Sequence, residues 1–207
     1  MIAFNQNINI LIAGVGGQGV LVVSQLIGTA AVNSGLKVRI SEDIGQAQRG
    51  GPVVSHIRIG AGSYAPIIPC NTVDLVIGFE PLETYRNTAK FLKPMGDVVF
   101  NNRPVYPSWN PREEELRYPP IDKMVEIMKK IAREVILLDA ADLARKAGNP
   151  IAVNMVMLGA ATAIALPFTP DTMKDTIKDA VSRDVISNLQ AFDYGFQAVK
   201  EKVTEHS

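Results

Sequence analysis

Short runs of β-branched and aliphatic residues alternate along the chain with stretches whose apolar positions recur every three or four residues. Unbroken or alternating apolar runs of four to eight residues mark strands, and the longer period marks amphipathic helices. "NINILIA" (7–13) predicts a buried strand, followed by a turn over Gly14–Gly19 and a helix over about 20–33 that Ser34-Gly35 ends. "KVRIS" (37–41) predicts a second strand, and "VVSHIRI" (53–59) a third that alternates enough to be half exposed. "VDLVIGF" (73–79) is almost wholly apolar, as a central parallel strand covered on both faces should be.

A helix is then expected over about 81–92, a strand at "DVVFN" (97–101), a helix over 121–133, and a strand at "EVILLDA" leading into a short helix that ends near Gly148. Beyond Asn149-Pro150 only helical patterns remain, over about 151–166, 170–181 and 184–201, with Thr169 as an N-cap ahead of Pro170. This order predicts an α/β fold: a doubly wound, mostly parallel sheet with helices on both faces, Rossmann-like, followed by C-terminal helices. The chain reads as one domain over 1–207. Its one irregular excursion, at about 102–120, holds five prolines and the sole tryptophan, Trp109.

Composition narrows the function classes. Lys+Arg and Asp+Glu both number 21, so no net charge draws the chain to nucleic acid or to an anionic membrane. Cys70 is the only cysteine, which excludes an internal disulfide and the four thiolates that an iron–sulfur cluster requires. Two histidines and that one thiol also make a poor zinc-ligand set. The start "MIAFNQNINI" lacks the basic and apolar regions of a signal peptide, and 151–168 carries Asn154, Gly159, Thr162 and Pro167, as a buried helix does. A soluble, cytoplasmic protein without a membrane span is expected.

The turn "GVGGQG" (14–19) carries the main candidate chemistry. A glycine-rich turn between strand and helix gathers backbone N–H groups and the positive helix end at one point, which favours an anion. Gly14, Gly16 and Gly19 fit the dinucleotide fingerprint, and Glu42 or Asp43 stands where an acid would hold a ribose hydroxyl. Gly17 makes the turn broader than that fingerprint needs. Between the second and third strands, Gln46, Gln48 and Arg49 precede Gly50-Gly51-Pro52, in a loop that opens toward the same carboxyl edge. His56 shares a strand face with Arg58 and is expected on a solvated or interface face, without a role as a base. "GDVVFNN" (96–102) places Asp97 and Asn101 too close together for a thiamine diphosphate motif, and the chain has no nucleophile elbow or P-loop lysine.

"NILIAGVGGQGVLVVSQLIGTAA", "AQRGGPVVSHIRIG", "VDLVIGFEPLE" and "NMVMLGAATAI" together resemble the gamma-type subunit of 2-oxoacid:ferredoxin oxidoreductases, over roughly 8–200. Within that family the likeness is nearest to the small (beta) subunit of the indolepyruvate branch. The resemblance implies a heteromeric enzyme that oxidatively decarboxylates a 2-oxo acid, passing electrons to ferredoxin and the acyl group to coenzyme A. Thiamine diphosphate and the iron–sulfur clusters are implied in a large partner subunit, so the isolated chain is expected to be inactive and to hold no cofactor. By resemblance, Gly14, Gly16, Gly17, Gln18 and Gly19 form a first cofactor-facing loop, and Arg49, Gly50 and Gly51 a second. No catalytic residue and no metal ligand is implied in this chain.

The indolepyruvate branch commonly carries His-Gly-Met where this chain has Ile44-Gly45-Gln46, which leaves the 2-oxo acid open. Two other readings stay open as well: a free-standing NAD(P)-binding protein with Glu42 on the ribose, and an assembly module without an active-site role. An apolar surface for the large subunit is expected around Trp109 and Tyr64–Cys70, through which the isolated chain is free to form a homodimer.

Overall fold

In the computed structural model, residues 7–45, 50–60, 62, 65–106 and 118–205 are described. Among them, six strands form one mixed sheet: β1 (Ile8–Val15), β2 (Val38–Ile44), β3 (Pro52–Ile59), β4 (Val73–Gly78), β5 (Leu92–Asn101) and β6 (Glu134–Leu138). The helices are α1 (Val20–Asn33), α2 (Pro81–Phe91), α3 (Ile121–Met128), α4 (Ala140–Lys146), α5 (Val153–Ile164), α6 (Pro170–Ala180) and α7 (Val185–Glu205).

The sheet order is β2-β3-β1-β4-β5-β6. β1, β4, β5 and β6 are parallel, whereas β3 runs antiparallel between β1 and β2. The α/β expectation therefore holds with one change: β3 is an interior strand. Its register pairs Ile57 with both Ile10 and Ile40, so most of it is buried where its alternation predicted half exposure.

Alternate side chains of each strand enter two cores. Ile10, Ile12, Leu75, Ile77 and Val99 face α1, α5, α6 and α7. Leu11, Ala13, Val76, Val98 and Phe100 face α2 and α3. Burial on both faces explains the continuous apolar runs of β1 and β4.

Local signals set the helix ends. The Thr169 side chain accepts from the Thr172 N–H at 3.2 Å ahead of Pro170, and Gly35 closes α1. The 151–168 stretch forms the buried helix α5, and no helix among the described residues is long and apolar enough to cross a membrane.

Candidate functional site

The chain reverses out of β1 through Gly16–Gly19 into α1. Gly17 and Gly19 have φ of 99° and 83°, values that strain any residue with a Cβ. A Cβ on Gly19 would press on Asn154 of α5, at 2.9 Å from Nδ2, whereas outside Gly17 nothing lies within 4 Å. The turn is thus tight against the protein and open outward. Gln18 braces it: its Oε1 accepts the Val15 N–H at 2.9 Å, and its Nε2 donates to the Phe79 carbonyl at the end of β4 at 3.2 Å. The side chain that sequence places toward a cofactor is engaged with the turn itself.

The second loop reaches the same point. The Gly16 N–H donates to the Gly51 carbonyl at 2.9 Å, and Gly50 has φ of 73°. The β2–β3 pairing carries this loop back across the carboxyl edge of the sheet, where the Gly45 N–H donates to Pro52 O at 3.1 Å. The structure therefore brings Gly50 and Gly51 to the glycine turn, and that contact occupies the Gly16 amide. Gln46, Gln48 and Arg49 lie outside the described residues, as do Tyr64 and Trp109. Ile67 and Cys70, from the expected partner surface, are exposed.

This edge is a topological switch point. α1 leaves β1 toward one face, and α2 leaves β4 toward the other, so a crevice opens between adjacent strands. Beside the turn, Val15, Gly17, Val20, Leu21, Val22 and Val53 line an apolar cleft of about 480 Å³. On the α2 side, a second cavity of about 410 Å³ borders Val15 and Gly50.

The second cavity contains a residue that the sequence reading quoted without assigning a role. Glu80 is 2% exposed, and its Oε2 caps α2 by accepting the Glu83 N–H at 2.9 Å. Its Oε1 accepts the Tyr118 hydroxyl at 2.5 Å and the Val105 N–H at 3.3 Å. The Tyr118 oxygen in turn accepts the Leu82 N–H at 2.9 Å. Burial, then the bond to Glu80, pushes the Tyr118 pKa up, so the phenol keeps its proton. Burial also raises Glu83, opposed by Arg86, whose Nη1 lies 2.7 Å from Glu83 Oε1. The signal for Glu80 was present: an acid after a buried strand, followed by proline and a second acid at the third helical position, is a helix-start pattern.

Two expectations are corrected. In a dinucleotide fold the acid-bearing strand lies beside β1. Here β3 intervenes, which sets β2 roughly 9–10 Å from β1 at ordinary strand spacing. Glu42 instead accepts from the Ser24 hydroxyl at 3.3 Å, so the ribose role has no support in this sheet. His56 is 5% exposed rather than solvated. Its Nδ1 accepts the Ile68 N–H at 3.4 Å, and its ring stands edge-on to Phe91.

A doubly covered sheet with two glycine loops meeting at its switch point defines the fold class, and comparison with known proteins gives the family. The family model described as pyruvate ferredoxin/flavodoxin oxidoreductase matches residues 9–198. Indolepyruvate oxidoreductase subunit IorB of Methanothermobacter thermautotrophicus is 40% identical over 94% of this chain and 99% of that protein. The subunit of the same name from Thermococcus kodakarensis is 36% identical over 93% of this chain and 96% of that protein. The gamma subunit of a keto/oxoacid ferredoxin oxidoreductase from Geobacter sulfurreducens superposes with a TM-score of 0.67 at 20% identity, covering 93% of this chain and 98% of that one. A 2-oxoglutarate:ferredoxin oxidoreductase from Magnetococcus marinus, solved with 2-oxoglutarate, coenzyme A and succinyl-CoA, gives 0.71 at 21% identity over 95% of this chain and 31% of that one. The chain belongs to the pyruvate ferredoxin/flavodoxin oxidoreductase family, as a small subunit of a 2-oxoacid:ferredoxin oxidoreductase.

Proposed function

We propose that this chain serves an arylpyruvate:ferredoxin oxidoreductase, and that its two glycine loops close over a thiamine diphosphate site held by a large partner subunit. The observation that carries this reading is the Gly16–Gly51 hydrogen bond, which sets both loops on one carboxyl edge beside the open side of Gly17. The IorB names of its relatives support indolepyruvate as the 2-oxo acid, despite Ile44-Gly45-Gln46. One cysteine cannot ligate a cluster, so the iron–sulfur centres and the path to ferredoxin belong to the partner. Coenzyme A is the co-substrate that these loops would receive as one domain of a cytoplasmic enzyme. Arg49, preceding Gly50, would hold a phosphate through paired N–H donors.

Assembly with the large subunit, followed by turnover at limiting and saturating coenzyme A, tests the reading. Arg49→Ala should change stability by less than about 0.5 kcal/mol and raise the coenzyme A requirement. Gly17→Ala has room for its methyl group, so its cost is backbone strain of about 1–2 kcal/mol, and its added bulk should slow acyl transfer in a complex that still assembles. Wild-type turnover by both variants would leave the chain an assembly module. The purified chain alone should be colourless and should reduce no acceptor with any 2-oxo acid; iron bound stoichiometrically to it would overturn the proposal.

A further inference from the structure

We propose that the cavity bounded by Glu80 and Tyr118 receives the aryl ring of the 2-oxo acid, with Glu80 accepting a hydrogen bond from a ring N–H or O–H. The proposal rests on the arylpyruvate reading above and assigns the site within it.

The cavity lies where such a ring has to go. Val15 and Gly50, at the ends of the two loops, form one side of it, so it opens beside the edge expected to face the reacting carbon. Its volume of about 410 Å³ falls within the range of small-molecule sites. Pro52, Leu82, Val105 and the Tyr118 ring give apolar walls suited to a flat ring.

The polar wall is selective. A carboxylate offers about four acceptor positions. Glu80 uses three of them, on the amides of Glu83 and Val105 and the hydroxyl of Tyr118, which leaves one for a ligand donor. Tyr118 cannot rotate away freely, because its oxygen also holds the Leu82 amide.

Charge sets the direction of entry. Glu83 and Arg86, which also line the cavity, form an ion pair that cancels their charges, so Glu80 sets the sign of the wall and repels a substrate carboxylate, while the paired Arg86 side chain stays 60% exposed. A neutral ring enters, and the 2-oxo carboxylate stays outside.

The assembled enzyme provides the test, through kcat/KM for indolepyruvate, phenylpyruvate and 2-oxobutyrate. Val105→Trp fills the cavity from a 40% exposed wall and should lower the ratio of either aryl substrate to 2-oxobutyrate about tenfold, chiefly through KM. Glu80→Gln should lower the indolepyruvate-to-phenylpyruvate ratio about tenfold, since only indole carries the ring donor. If Glu80→Gln fails to fold for loss of its helix cap, Val105→Trp decides alone. Unchanged ratios in an enzyme that does use indolepyruvate overturn the cavity assignment only. A wild-type complex that turns over no arylpyruvate overturns both the assignment and the arylpyruvate reading.

Discussion

On one face of the sheet, α5 and α7 cross over Gly159 and Gly195. A Cβ at either position would overlap the backbone of the other helix, at Phe192 and Val156 respectively. On the other face, α2 lies over Gly78 and buries Glu83, Thr84, Asn87 and Thr88. The first face is held by close contact between apolar helices. The second sets polar side chains of α2 beside an apolar cluster, and these bond back along their own helix: the Thr84 hydroxyl donates to Glu80 O at 2.7 Å, and Asn87 Nδ2 to Glu83 O at 2.9 Å. Close packing resists any added volume, whereas hydrogen bonds fix the positions of groups. The cavity and its carboxylate lie on the face where α2 presents polar side chains, and the α5 face backs the glycine turn through Asn154.

The contrast predicts unequal responses to mutation. Gly159→Val forces a side chain into the Phe192 carbonyl, which only a shift of α7 can relieve. It should cost about 3 kcal/mol, read as a lower urea midpoint at unchanged slope. A smaller loss would mean that the helix pair is more compliant than its contact implies.

The next effect is a pH dependence on the polar face. Burial lowers the pKa of His56, partly offset by Asp43 and reinforced by Lys90. The folded protein therefore binds a proton less readily than the unfolded chain, whose histidine titrates near 6.5. Stability from this group is full above that pH and declines as pH falls from it through the lower folded value. His56→Leu should flatten this limb of the curve in urea titrations between pH 7 and 5. An unaltered slope would place the titration elsewhere.

The smallest expected effect has the opposite sign. The Thr88 hydroxyl is buried and has no partner among the described residues. Thr88→Val replaces it with a methyl of similar shape and should be neutral or stabilising by up to about 1 kcal/mol. A clear destabilisation would reveal a bond on the polar face that the structure does not record.

The parts legible in the sequence were those with local causes. β1, the glycine turn and α1 follow from an apolar run, turn chemistry and a glycine stop; Thr169-Pro170 likewise announces α6. The place of β3 was not legible, because insertion between β1 and β2 depends on two distant pairings. Its polar residues misled: Arg58 meets Asn9 Oδ1 at 3.1 Å and Ala65 O at 2.8 Å, partners chosen by the fold. Of the candidate site, the meeting of the two loops was legible, since both follow strands that end at one edge. The bond from Tyr118 to Glu80 was not, because the two lie 38 residues apart across the irregular excursion.

The flanks of the sheet carry a further consequence. An exposed strand is a template on which another chain can pair, the first step toward fibrillar growth. β6 is only five residues long, and Lys202 of α7 donates to its Leu137 carbonyl at 2.7 Å. β2, at the opposite border, displays Arg39, Glu42 and Asp43 to solvent. One flank is covered and the other is charged, so lateral accretion is discouraged on both sides while the carboxyl end stays open.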